Sequence, residues 1–308
     1  MDSRLSRGVL LLAVLMLAML LPAMAQEFGQ PGSFGDSGQE REFQTVQPTD
    51  SEGRRYFIHD LPVKIAIVGG LSLLAAAVLV FRRTRYRKAI LVLSVGFVGF
   101  YLGGVLCPLS SVQNVFLKAD TAYLLLFLMP VVFALVVGRV HCGYVCPFGA
   151  LQELIHVRKL AVRLPERTRR ALSYVKYAVL VYLVIRVLVT HTGILQGLTP
   201  FKPLFAWGGT LATVLVTVAF AVLSVFLWRP FCETVCPLGA LLSLVSRISL
   251  FKLSARENCV SCGRCTAACR AGACSDGRVA SADCLVCGEC TQACPVDCLR
   301  LVPRWSRR

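Results

Sequence analysis

Carboxylates are scarce in this chain. Its 308 residues hold 17 Asp and Glu against 33 Lys and Arg, a formal net charge of +16, and only four histidines. There is no Gly-x-x-x-x-Gly-Lys-Ser/Thr loop and no Gly-x-Gly-x-x-Gly opening a helix, so the backbone cradles that hold nucleotide phosphates are excluded. His59, His141, His156 and His191 fall at the ends of the long hydrophobic stretches. None sits mid-span, so no pair faces another at matched depth, as the axial ligands of a transmembrane haem would. The basic excess alone would suit nucleic acid. Here it is scattered through separate loops between apolar runs, which fits membrane topology better, and no nucleic acid is expected.

What is plentiful is apolar surface. Hydrophobic residues make up 56% of the chain, above the 45–50% usual for soluble domains, and mean hydropathy is +0.66. Five stretches reach the length of a bilayer crossing, at roughly 61–81, 89–107, 121–138, 171–190 and 208–228. Arg186 lies in the fourth, where it either snorkels to the nearby helix end or faces a polar interior. Ahead of these, Arg4 and Arg7, the apolar run Val9–Leu21 and Ala23-Met24-Ala25 form a signal sequence over 1–25, or an anchor helix if it is not cleaved. Residues 26–60 are polar, without hydrophobic period, and read as a flexible exported segment.

Charge orients the bundle. Arg82, Arg83, Arg85, Arg87 and Lys88 follow the first span. Arg139, Arg158, Lys159, Arg163, Arg167, Arg169 and Arg170 follow the third, and Arg229, Arg247 and Lys252 the fifth. The opposite loops hold Lys118 and Lys202. By the positive-inside rule the basic loops are cytoplasmic, in a bacterial inner membrane, and so is the C-terminal tail. The outer loops, Gly103–Ser111 and Gly197–Pro203, are rich in Gly and Pro. They read as span-connecting turns or as a quinol pocket, and Cys107 at the end of the second span reads as a packed apolar residue or a periplasmic thiol.

The tail carries the most specific pattern. Cys259, Cys262, Cys265 and Cys269 form a Cys-x2-Cys-x2-Cys-x3-Cys run; Cys284, Cys287, Cys290 and Cys294 form a second, followed by Pro295. Three thiolates on one tight loop suit three corners of a cubane iron–sulfur cluster, and the fourth cysteine starts a short helix and crosses to the other cluster. The expected sets are Cys259, Cys262, Cys265 with Cys294, and Cys284, Cys287, Cys290 with Cys269, for two 4Fe-4S clusters over 255–302. A zinc site needs only four ligands and a disulfide framework belongs to a secreted fold, so neither explains the doubled spacing. Cys274 and Cys298 flank the runs as spare thiols.

A second cysteine constellation lies in the bundle, 61–254. Residues 142–151 read Cys-Gly-Tyr-Val-Cys-Pro-Phe-Gly-Ala-Leu, and residues 232–241 read Cys-Glu-Thr-Val-Cys-Pro-Leu-Gly-Ala-Leu. Each copy (142–147 and 232–237) follows a span, with Arg139 or Arg229 at the exit, and leads into an amphipathic segment, Leu151–Leu164 or Leu241–Leu253. The proline suits the first turn of a helix. If helices pair the copies, Cys142, Cys146, Cys232 and Cys236 offer four thiols for a metal or a further cluster; alternatively each pair is a dithiol, or the thiols merely pack.

The stretch Gly138–Leu154, its second copy and the paired ferredoxin runs resemble the NapH/NosR-type membrane polyferredoxins, with the cbb3-oxidase assembly ferredoxins as more distant cousins. The resemblance covers about 61–300. It implies a cytoplasmic-membrane electron carrier of the quinol dehydrogenase type, linking a quinol pool or a cytoplasmic donor to a periplasmic reductase. NosR-like members carry a large exported domain with covalent flavin. This chain has only 26–60 before its first span and no Ser/Thr-Gly-Ala-Ser/Thr signature, so no covalent flavin is expected and the exported acceptor is a separate protein.

The expected fold is a mainly α transmembrane bundle with a C-terminal bacterial two-cluster ferredoxin-like domain. The expected function is one-electron transfer through protein-held clusters, with redox protein partners on one or both sides of the bilayer and quinone as a candidate. The alternative is a maturation factor that supplies electrons for biogenesis of a metalloenzyme. Arg264, Arg270, Arg278 and Arg300 lie close to the cluster runs, where positive charge favours the reduced cluster. Reversing them to Glu is expected to lower the cluster midpoints in an EPR-monitored redox titration; an unchanged or raised midpoint would contradict this.

Overall fold

The computed structural model describes residues 61–81, 86–102, 121–162, 164–190, 201–205, 211–256, 258–275 and 277–305. The signal sequence, the 26–60 segment, the outer loop 103–111 and residues 197–200 of the other, Cys107, His59, His191, Lys118 and Arg82, Arg83, Arg85 and Arg163 lie outside them. Residues 61–308 form one compact unit.

Helices dominate. α1 (Leu61–Val80) leads to α2 (Arg87–Leu93), which continues as a wide π turn over Ser94–Tyr101. α3 is Thr121–Val137, α4 Pro147–Ile155, α5 Glu166–Thr190, α6 Phe201–Phe205 and α7 Leu211–Phe226; two further short helices follow, α8 (Pro230–Thr234) and α9 (Pro237–Ser246). The described part of each expected stretch is mainly helical, the second only to Tyr101. Two of the helices, over Val63–Val80 and Glu166–Val189, are long and apolar enough to cross a membrane; Leu124–Val137 and Leu211–Phe226 are shorter. The two long ones are only 28% and 22% buried within the protein. Their outward faces carry Leu73, Leu74, Val181, Ile185 and Leu188, an apolar surface of the kind that marks a membrane or a partner rather than water.

The amphipathic segments are shorter than the sequence pattern suggests. α4 ends at Ile155 and α9 at Ser246. Residues Phe251–Leu253, the end of the expected Leu241–Leu253 segment, instead open strand β1 (Phe251–Ala255). β1 pairs antiparallel with β4 (Leu299–Pro303), Phe251 opposite Pro303 and Ala255 opposite Leu299, so the tail's first strand closes on its last. Between them lie α10 (Arg264–Ala268), the small hairpin of β2 (Cys274–Ser275) and β3 (Arg278–Val279), and α11 (Glu289–Gln292). The short helices carry the third cysteine of each run and end before the fourth, where the sequence spacing put their start. Gly263 and Gly288 set this register: both take left-handed φ (70° and 79°) directly before the helix, a conformation glycine adopts without steric cost.

The tail is welded to the bundle. Val286 packs into the bundle core with Val68, Val98, Val140 and Tyr144. The Tyr144 hydroxyl donates to the Cys287 carbonyl at 3.1 Å, and Ser243 and Ser246 donate to the carbonyls of Ala282 and Ser281 at 2.7 and 3.0 Å. Arg169 reaches from α5 to the Gly272 carbonyl at 2.9 Å, and the Leu250 amide bonds the Leu135 carbonyl at 2.8 Å. At one point backbone meets backbone: a Cβ at Gly143 would collide with the Leu285 carbonyl oxygen. Gly143→Ala is therefore expected to push the 281–287 loop away, at a cost of about 1–3 kcal/mol, the usual range for overpacking. Faster hydrogen exchange in 281–287 with a lowered melting temperature would show it; unchanged exchange there would refute it.

Candidate metal centres

In the tail, the first cysteine run wraps a cavity. Cys259, Cys262 and Cys265 line it together with Cys294 from the far end of the second run, and with Cys298. Gly277, at φ 78°, forms part of its wall, where a side chain would press Ala255 and the Cys259 sulfur. The loop needs backbone that ordinary residues avoid: Ser261 (φ 48°) and Val286 (φ 51°) hold equivalent left-handed positions between the first two cysteines of each run. For a β-branched valine this is strained, and the turn aims amides at sulfur: the Val286 N–H donates to Cys284 Sγ at 3.4 Å. In the second run Cys284 and Cys287 are neighbours, and Cys269 lies within electrostatic reach of both. The first cavity thus brings Cys294 of the second run to three cysteines of the first, while Cys290 lies in the field of Cys284 and Cys287.

Cys274 and Cys298 are not at the margin of this arrangement. Cys274 hydrogen-bonds Cys265 and Cys290, one thiol from each set. Cys298 lies 3.3 Å from Cys294 and also bonds Cys259. Burial pushes Cys284 up to about 12, with the neighbouring Cys287 adding to it. A thiol in that state becomes a ligand only when a metal supplies the compensating charge.

The bundle's four cysteines also converge. In each repeat copy the second cysteine's amide bonds the carbonyl five residues back, Cys146 to His141 at 2.9 Å and Cys236 to Phe231 at 3.1 Å, a widened π-type turn of the sort found at functional sites. The next residue is Pro147 or Pro237, which forces both cysteines to extended backbone (ψ 114° and 112°) and supplies the first helical residue of α4 or α9. The second copy's thiol then caps its helix: Cys236 Sγ accepts from the Gly239 amide at 3.2 Å, whereas Cys146 makes no side-chain cap bond. Across the copies, Cys146 and Cys232 hydrogen-bond each other, and Cys236 lies in the field of Cys142 and Cys146. Phe148 and Phe231 pack edge to face, centroids 5.0 Å apart, and lock the copies together. Gly149 and Gly239 leave room at the sulfurs: a Cβ at Gly149 would stand 3.4 Å from Cys232 Sγ, and one at Gly239 3.4 Å from Cys236 Sγ.

Two arginines that the sequence places among the loop charges are fully buried here, Arg139 at 1% and Arg229 at 0% exposure. Each stands three residues ahead of its copy's first cysteine, and each is spent on carbonyls and carboxylate rather than on topology. Arg229, itself at φ 50°, donates to the Cys142 carbonyl, to the Gly143 carbonyl at 3.1 Å, and to Glu153 through Nε and Nη2 at 3.0 and 2.7 Å. Glu153 also holds Arg87 at 2.5 Å. Arg139 donates to Ala282 of the tail at 3.1 Å and to Cys142, and its charge is felt at Cys236 and Cys284. It therefore stands between the bundle's cysteines and the tail's second set.

Around the four bundle cysteines, buried polar atoms lack partners among the described residues: His141 Nδ1, both amide atoms of Gln152, and Glu233 Oε1. Native interiors seldom leave such groups unmatched, and an absent ion or cofactor is one regular reason. Burial lowers the His141 pKa to about 4, so this ring is neutral. Among the described residues no three His, Cys, Asp or Glu side chains converge as ligands of a single metal ion.

Glu153 was legible only as one acidic residue on an amphipathic segment. Burial pushes its carboxyl up; the Arg229 and Arg87 guanidiniums more than offset this and hold it below the usual carboxylate range. Its share of stability is thus present above the ordinary carboxylate pKa and lost as pH falls through the lowered value. Glu153→Gln strands two buried cations and is expected to cost about 3–5 kcal/mol, read as a lowered melting temperature in detergent that no longer has this acid-side dependence. A variant melting like wild type would refute the role.

The comparisons with known proteins agree with this geometry. A family profile described as a 4Fe-4S binding domain matches residues 119–165 and 210–256, the two repeat copies. An uncharacterized protein of Methanocaldococcus jannaschii is 31% identical over 172 residues, 53% of this chain and 72% of that protein. The regulatory protein NosR of Stutzerimonas stutzeri is 34% identical over 198 residues, 57% of this chain but 27% of NosR. The methylamine utilization ferredoxin-type protein MauN of Paracoccus denitrificans is 28% identical over 142 residues, 44% of this chain and 50% of MauN. Beyond the archaeal protein, the chain thus spans about half or less of these relatives. No solved structure matches it. With two 4Fe-4S-type repeats, two ferredoxin runs and these relatives, the chain belongs to the NapH/NosR-type family of membrane-bound polyferredoxins.

Proposed function

We propose that this protein is a multi-pass membrane electron carrier that moves single electrons between its cytoplasmic tail and the bilayer side of its bundle. In this reading α1, α2, α3, α5 and α7 all cross the membrane. Cys259, Cys262, Cys265 and Cys294 hold one 4Fe-4S cluster, and Cys284, Cys287, Cys290 and Cys269 a second. Cys142, Cys146, Cys232 and Cys236 hold a further redox centre. A bound 4Fe-4S cluster supplies reversible one-electron chemistry, and the chain supplies ligands, dryness and local charge.

The observation that carries this reading is the direct abutment of the bundle's cysteines on the loop of the second ferredoxin run. Gly143, between Cys142 and Cys146, touches the Leu285 carbonyl; Tyr144 holds the Cys287 carbonyl; Arg139 spans from Cys142 to Ala282. A mere tail tether would not require the three cysteine sets to be contiguous. The outer end of the path is a quinol pool or a separate exported reductase, following the family resemblance. A tail that stays in the cytoplasm agrees with the basic residues at the inner ends of the spans.

Iron and acid-labile sulfide per chain, measured on anaerobically purified protein with EPR after reduction, test it. A clear excess over about eight iron, lost in Cys142→Ser and Cys232→Ser, is expected. Eight iron unaffected by those substitutions would remove the further centre, and fewer would remove the tail clusters.

A further inference from the structure

A second cavity, of about 380 Å³, lies between α2, α4 and the tail, and Cys287 is part of its wall. A thiol of the second cysteine set therefore borders a space large enough for a ligand group. Beside apolar surface from Leu91 and Leu154, the lining concentrates charge. Lys88, Arg158 and Arg270 face Glu289 across it, with Arg87 and Glu153 behind. The inner cations are committed: Arg87 to Glu153 at 2.5 Å and Arg270 to Glu289 at 3.0 Å. The outer ones are held loosely: Arg158 pairs with Glu289 only at 3.8 Å, with 73% of its side chain exposed, and Lys88 is exposed beside it. The mouth is thus a positive rim over a cluster ligand, on the face where the basic loops lie.

We infer that this cavity is the docking point of an acidic one-electron donor protein, whose carboxylates pair with Lys88 and Arg158 and bring its redox centre opposite Cys287. Charge complementarity of this kind steers encounter and fixes orientation more than it adds affinity. The inference rests on the assignment of Cys287 to a tail cluster. One electron leaves the reduced donor and is gained by the cluster held by Cys284, Cys287, Cys290 and Cys269; no covalent bond forms or breaks, and no proton need move.

The probe is a plant-type ferredoxin, an acidic protein with a potential of about −400 mV. Its redox-inert gallium-substituted form reports binding to the cluster-loaded protein alone, and its reduced form reports transfer by stopped flow. Lys88→Glu with Arg158→Glu is expected to weaken binding and slow transfer about tenfold or more, and to flatten the salt dependence of both. Arg167→Glu, a charge reversal on α5 outside the cavity, is expected to change either by less than about twofold at moderate salt. Equal losses in Arg167→Glu, or none in the double variant, would overturn the inference. So would full competition by phosphatidylglycerol vesicles, which would make the rim a lipid-headgroup site. Intact binding of the gallium form to protein lacking the tail's EPR signal would instead fault the cluster assignment and leave the docking point standing.

Discussion

Arg229 carries a full charge into a place without water, and most of the site's geometry depends on how that charge is satisfied. Its guanidinium closes on the carbonyls of Cys142 and Gly143 and on the Glu153 carboxylate. The residue belongs to the second repeat copy, and everything it holds belongs to the first. A buried ion pair is seldom a net source of stability, because desolvation consumes the Coulomb gain. What it does impose is register. Only one relative placement of the two copies satisfies all the donors of Arg229, and that placement brings Cys146 against Cys232. Glu153 extends the constraint by holding Arg87, which also lies over the Tyr144 ring at 5.6 Å. The start of α2, the first copy and the second copy are thereby fixed through one carboxylate.

The two copies are alike in sequence but not in what their arginines do. Arg229 turns inward, to the other copy; Arg139 turns to the tail and reaches Ala282. This broken symmetry is useful. A symmetric pair would close the four cysteines into a sealed centre. With Arg139 directed outward, the first copy presents Gly143, Tyr144 and a shared positive charge to the loop that carries Cys284 and Cys287. In the proposed reading, positive charge between two redox centres would stabilise the reduced state of both and offset their mutual repulsion. The tail's small size points the same way: so short a domain has little core of its own, and Val286 borrows one from the bundle.

The sequence was most readable where function rests on local spacing. The ferredoxin runs mark their candidate ligands because three thiolates on one tight loop suit a cubane cluster, and the repeat marks Cys142, Cys146, Cys232 and Cys236 because both copies keep the same Cys-x3-Cys-Pro spacing. Helix positions were readable from apolar length. Strand β1 was not: Phe-Lys-Leu-Ser-Ala continues an amphipathic pattern, and only pairing with Leu299–Pro303, far along the chain, decides against a helix. The arginines misled for a related reason. Beside a span, a basic residue reads as a topology signal, and burial is a tertiary property that composition does not carry. Cys274 and Cys298 looked marginal because they fall outside the ligand spacing, although folding brings each to two cysteines of the sets.

The strained positions show which geometry the chain maintains against cost. Left-handed Val286 is a poor choice for a loop whose only task is to connect, and glycine would relieve it. Valine at this place does two things at once. Its backbone turns an amide toward Cys284 Sγ, and its side chain fills the bundle core against Tyr144 and Val140. Its counterpart in the first run, Ser261, has the same backbone but is exposed and has no bundle to pack on. The difference separates the roles of the two runs. The second is clamped to the membrane bundle by its strained residue, and the first faces away from that clamp with Cys262 exposed. The asymmetry gives the tail an inner run in contact with the bundle's first repeat copy and an outer run that is not, and Cys274, bonded to Cys265 and Cys290, stands where the two runs meet.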